Sequence, residues 1–88
     1  MKIYKIDLPR EAPGLLTVAL KLAWPVTVMM QHGVPRLWYA HDEAMADRRF
    51  LIHCVGTGRE ADLAALGGYI GSVVDGDYVW HYFLRPEE

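Results

Sequence analysis

Residues 26–41 read VTVMMQHGVPRLWYAH, two runs rich in β-branched, apolar and aromatic residues divided by His32-Gly33. Glycine takes positive φ without strain and histidine is among the more tolerant of the other residues, so the pair predicts a tight hairpin between strands 26–31 and 36–42. A two-residue loop sets Val28 opposite Leu37 and Val26 opposite Tyr39 on the core face. It sets Thr27 opposite Trp38 and Met29 opposite Arg36 on the other face. Pro35, opposite Met30, then turns its missing N–H away from the first of these strands, which predicts a sheet edge there.

The same period of two extends in both directions along the chain. Residues 2–7 place Tyr4 and Ile6 on one side, and Leu16, Val18, Leu20 and Leu22 alternate with Thr17, Ala19 and Lys21. Pro9 and the Pro13-Gly14 pair break the chain between these two strands. Residues 48–55 carry Phe50, Ile52 and Cys54 on one face and Leu51, His53 and Val55 on the other. Strands 69–74 and 77–84 meet at Asp75-Gly76, the signal of a type I′ hairpin, which would put Gly71 opposite Trp80 and Ile70 opposite His81. Thr57 and Glu60 have the spacing of a capping box, so one short helix is expected near 58–66, closed by Gly67. Residues 84–88 read as a frayed tail. Seven short strands with turns at regular spacing predict a mostly β chain, a small antiparallel β-sandwich or barrel-like single domain over residues 1–88.

Composition narrows the function. With 88 residues, 52% of them hydrophobic, and a net charge of -2, the chain can bury one core. It has neither the Lys/Arg excess of a duplex binder nor the acidic excess of a DNA mimic, so direct duplex binding is not expected. Cys54 is the only cysteine, which rules out an intrachain disulfide and fits a reducing, cytoplasmic setting. The apolar run 12–30 is interrupted by Pro13, Lys21 and Pro25, so two strands explain it better than a membrane span or signal core.

Chemistry-bearing residues are sparse. His41, His53 and His81 lack the close pairing of a metal site, and His53 and Cys54, adjacent on a strand, face opposite ways; no metal, cofactor or catalytic set is expected. Gly56-Thr57-Gly58 could offer backbone N–H groups to an anion, with Arg59, Arg48 and Arg49 supplying charge, although such a turn more often only reverses the chain. Tyr78, Trp80 and Tyr82 form a stripe that could stack on a nucleobase or fill half of the core. The candidate ligand residues are therefore Arg48, Arg49, Thr57, Gly58, Arg59, Trp80 and Tyr82. Met29, Arg36 and Trp38, sharing the face away from the core, are either covered by a second sheet or form an interface for self-association or a partner.

The run Gln31-His32-Gly33-Val34-Pro35-Arg36-Leu37-Trp38, followed by Arg48-Arg49-Phe50, Val55-Gly56-Thr57-Gly58, Tyr69-Ile70-Gly71 and Val79-Trp80-His81, resembles as an ordered set a family of short β proteins encoded by bacteriophages and prophages, known mainly as a domain of unknown function. The stretch Arg59–Leu66 departs from the family's loop, which is richer in proline and acidic residues. The resemblance implies a viral origin and action in the bacterial host cytoplasm, and carries over no activity. Joined to the missing catalytic set, it leads to the expectation of a non-enzymatic, homo-oligomeric anti-defence protein that sequesters a small nucleotide immune signal. The alternatives are an inhibitor that docks on a host defence protein such as a CRISPR effector, and a phage structural protein.

Overall fold

The computed structural model describes residues 1–11 and 14–87. Seven strands, β1 (Lys2–Asp7), β2 (Gly14–Leu20), β3 (Leu22–Gln31), β4 (Val34–His41), β5 (Arg48–Gly56), β6 (Gly68–Asp75) and β7 (Tyr78–Pro86), form two antiparallel sheets. Their orders are β1-β4-β3 and β2-β5-β7-β6. The expected small antiparallel sandwich is the observed fold. Part of the predicted break at Pro13-Gly14 lies outside the described residues.

The β3–β4 hairpin turns at His32 (φ 52°) and Gly33 (φ 76°), the pair of positive values that a type I′ turn requires. Val28 pairs with Leu37, Thr27 with Trp38, Met29 with Arg36 and Met30 with Pro35, as the sequence implies. The register then shifts, and Pro25 rather than Val26 faces Tyr39. Proline cannot donate to a ladder and is accommodated at a bulge on an edge strand, which is where β3 holds Pro25. Val26 is displaced to the surface, 45% exposed, instead of filling the core.

The edge predicted at Pro35 is also corrected, because β1 pairs along the other side of β4 and makes it the central strand. The last pair is Asp7 with Arg36, after which the Leu8 N–H donates to the Pro35 carbonyl at 2.9 Å. Pro35 accepts that bond and has no N–H to return, so the ladder stops there.

Leu16, Val18, Leu20 and Leu22 do alternate, but they belong to two sheets: the chain turns a corner at Lys21, and Leu22 opens β3. Both Leu20 and Leu22 reach the core, which also contains Leu8, Val28, Leu37, Tyr39, Phe50, Ile52, Cys54, Val73 and Tyr82. Tyr82 is fully buried, and its hydroxyl donates to the Pro9 carbonyl at 2.6 Å, so the one polar atom it carries inward is satisfied.

Three local expectations differ from the structure. The β6–β7 turn is Gly76-Asp77, with Asp75 opposite Tyr78, so Val73 faces Trp80, Ser72 faces His81 and Gly71 faces Tyr82. Only Gly76 has positive φ, 62°, which suits a turn with glycine at its first central position. From Gly71 to Asp75 the shift is by two residues, so those side chains keep their faces; an irregularity between Tyr69 and Gly71 then sets Tyr69 opposite Phe83. The helix at 58–66 is reduced to one 3₁₀ turn, Leu63–Ala65, whose N-cap, Asp62, makes no side-chain capping bond. Gly67 does follow it with φ 91°. Finally, the stretch read as a frayed tail is paired through Pro86, opposite Phe50, and the Glu87 N–H donates to the Arg49 carbonyl at 3.0 Å.

Candidate functional site

The outer face of the four-stranded sheet is roofed at one end by the segment joining β5 to β6. Arg59, in that segment, lines three depressions: those of about 340 and 440 Å³ lie against the outer face, and that of about 220 Å³ lies at the end of β7 on the side of Trp80, which faces the core. Thr57, where β5 pairing ends, lines those of 220 and 340 Å³. Its N–H donates to the Val79 carbonyl at 3.2 Å, holding the start of the loop to β7.

In the 220 Å³ depression, Arg59 and Thr57 meet Asp77, Tyr78 and Trp80. Tyr78 and Trp80 stack with ring centroids 5.5 Å apart and planes 10° from parallel. Trp80 is half-buried against the core and its Nε1–H donates to Asp75 at 3.1 Å, while Tyr78 is 64% exposed. The result is an aromatic platform anchored at the back and open at the front, in a depression that Arg59 also lines.

The 340 Å³ depression has Val55, Leu63 and Phe83 as its apolar walls and His81 at its base. A row of short contacts runs from the turn after β5 across β7 to β6: Thr57 Oγ1 to His81 Nε2 at 2.7 Å, His81 Nδ1 to Ser72 Oγ at 2.7 Å, and Ser72 Oγ to the Tyr69 hydroxyl at 2.6 Å. In the neutral imidazole one nitrogen donates and the other accepts, so hydroxyls on both sides fix the ring in place. The sequence reading set Ile70 opposite His81; the two-residue difference in register is what brings Ser72 into this row.

The 440 Å³ depression adjoins His53, Glu60 and Asp62. Burial, and secondarily Arg85, holds the His53 pKa below its ordinary value, so this ring favours its neutral form. Burial raises the Cys54 thiol, the opposite of what an activated nucleophile needs.

The candidate ligand residues separate into two groups. Thr57, Gly58, Arg59 and Trp80 gather around the loop. Arg48 and Arg49 lie at the far end of β5, about 30 Å away for nine residues of extended chain; Arg48 sits over the Phe50 ring at 5.8 Å and Arg49 pairs with Glu87 at 3.1 Å. Tyr82 is fully buried and presents no stacking surface. Tyr78 and Asp77 take their place beside Arg59. The histidines do not converge: His41, on the other sheet, stacks on Tyr4 and contacts Glu43 at 2.7 Å, which holds the Glu43 carboxyl below its usual range. Among the described residues, no group of three or more His, Cys, Asp or Glu is placed to hold a metal ion.

The outer face of the three-stranded sheet has a different character. Met29, Arg36 and Trp38 lie on it as expected, and the second sheet packs on the opposite side instead of covering them. Ile3, Trp24 and Met29 there are half or more exposed, with Val26 alongside at 45%. Arg36 is held by Asp7 at 2.9 Å.

Fold and faces together define a small antiparallel β-sandwich with a polar, aromatic-lined depression on one sheet and an open apolar surface on the other. The chain belongs to the family described as "Domain of unknown function (DUF7352)", whose model matches residues 1–88. No curated protein and no solved structure matches it. No helix of the described residues is long and apolar enough to cross a membrane.

Proposed function

We propose that this protein is a non-enzymatic binding protein that holds a small nucleotide at the Arg59 loop, in the service of a bacteriophage that must neutralise a nucleotide signal of host defence. The observation that carries the reading is the junction of Arg59 and Thr57 with the stacked Tyr78–Trp80 pair in one depression. An exposed ring offers a base a stacking surface worth about 1–3 kcal/mol. A guanidinium suits phosphate because its fork matches two oxygens at once. Asp77 can accept from sugar hydroxyls or an exocyclic amine. At about 220 Å³ the depression is smaller than the roughly 300–1,000 Å³ of typical ligand sites, so one chain would enclose such a ligand only in part and a second copy could complete it. The phage setting rests on the sequence resemblance alone.

The test is native mass spectrometry and calorimetry with AMP, cyclic AMP and ADP-ribose. At least one should bind and be recovered intact, with Arg59→Gln or Tyr78→Ala weakening it tenfold or more and Arg48→Gln leaving it unchanged. Turnover of the nucleotide, or no protection of phage in a defence-bearing host, would overturn the reading.

A second reading, docking on a host defence protein through the three-stranded sheet, is favoured by the exposed Ile3, Trp24, Val26 and Met29. Loss of phage protection in Val26→Asp with nucleotide binding intact would support it over the first.

A further inference from the structure

We infer that the ligand has two arms, a phosphodiester or pyrophosphate carrying a ring system on each side, as in a dinucleotide or a nucleoside diphosphate conjugate. This rests on the nucleotide reading of the same site and names the class of nucleotide it takes.

Arg59 and Thr57 line both the 220 Å³ and the 340 Å³ depressions, which lie on opposite faces of β7, Tyr78 and Trp80 on the core-facing side and His81 and Phe83 on the outer side, so a phosphate held by Arg59 has one depression on each side of the strand. A mononucleotide with its base on Tyr78 and its phosphate at Arg59 would leave the second depression to water. That second space is built for a ring or a sugar face. Leu63 and Phe83 wall it, Phe83 is braced edge-on by Tyr69 at 5.6 Å, and His81 is held at its base by Thr57 and Ser72. The third depression is bordered by Glu60 and Asp62 as well as Arg59, and two carboxylates beside one cation make it a poorer seat for a phosphate than the two that Arg59 borders without them. The 220 Å³ depression lies below the volumes usual for ligand sites and the 340 Å³ depression near their lower end, so each suits one ring better than a whole ligand. Linking two weakly held groups through one phosphate makes the second contact intramolecular, which raises affinity without further polar contacts.

Calorimetric titration of the full chain with AMP, cyclic di-AMP and ADP-ribose tests this. At least one of the two-armed ligands should bind tenfold or more tightly than AMP. Leu63→Asp, a change at a residue 59% exposed, should reduce that ligand to the level of AMP while leaving AMP itself unchanged. AMP binding as tightly as both others, or insensitivity to Leu63→Asp, would overturn the two-armed ligand and leave the nucleotide site standing. Binding of none of the three would overturn both.

Discussion

Gly71 and Val28 bring the two sheets into contact: a Cβ at Gly71 would lie 2.9 Å from the Val28 Cβ, and Gly71 holds φ at 150°. The predicted role of this glycine, lying under the Trp80 indole, is replaced by one that only the packing of β6 over β3 creates. Gly71→Ala should destabilise the protein by about 2–4 kcal/mol, combining backbone strain with overpacking. Urea denaturation would measure it. Adding Val28→Ala should recover part of the loss, so the double variant should be more stable than the sum of the two singles predicts.

Tyr82→Phe keeps the ring in the core and removes the hydroxyl that donates to the Pro9 carbonyl at 2.6 Å. Leaving that carbonyl unpaired should cost about 1–2 kcal/mol. Thermal denaturation should show a lowered midpoint, and an unchanged one would mean that water takes over the bond.

Burial raises the pKa values of Tyr82, Tyr39 and Cys54. The folded chain therefore holds these protons while the unfolded chain releases them, near pH 9.0 for the thiol and 10.0 for the phenols. Their contribution is fully present below those values and is lost as pH rises further. Urea midpoints at pH 7 to 11 should fall above about pH 9, and less steeply in Tyr82→Phe; a flat profile in the parent protein would contradict the assignment.

His53 acts in the opposite range. Its folded pKa is depressed from 6.5 by burial and by Arg85, so its contribution is present above pH 6.5 and is lost as pH falls toward the folded value. Stability should decline as pH falls below 6.5, and His53→Gln should flatten that part of the curve.

If the three-stranded sheet joins two copies, Trp24, Val26 and Met29 are shielded only in the dimer. Sedimentation from micromolar to millimolar concentration should show association that Val26→Asp abolishes without altering the denaturation midpoint of the monomer, since Val26 stands on a bulge outside the core.

Strand existence and face were legible because period two needs only local information. Phe50, Ile52 and Cys54 point inward, and Met29, Arg36 and Trp38 share the opposite face of their sheet, as the alternation implies. The loop residues Thr57, Gly58 and Arg59 were legible as a turn able to receive an anion. What stood beside them was not, because Tyr78, Asp77 and His81 reach Arg59 or Thr57 only through the pairing of β5 with β7.

The sequence by itself determined a disulfide-free, seven-stranded antiparallel domain and the sidedness of its strands, since these follow from alternation, turn residues and a single cysteine. Tertiary structure decided the rest. Proline at positions 25 and 35 marked departures from ideal pairing, but only the neighbours of each strand decided whether it meant a bulge or the end of a ladder. The same holds for Tyr82, in the core, and Tyr78, on the surface: they share one stripe of one strand, and which is covered depends on how far the opposing sheet and the Pro9 segment extend over it. Alternation specifies a face, whereas burial and ligand contact depend on what another part of the chain brings to that face.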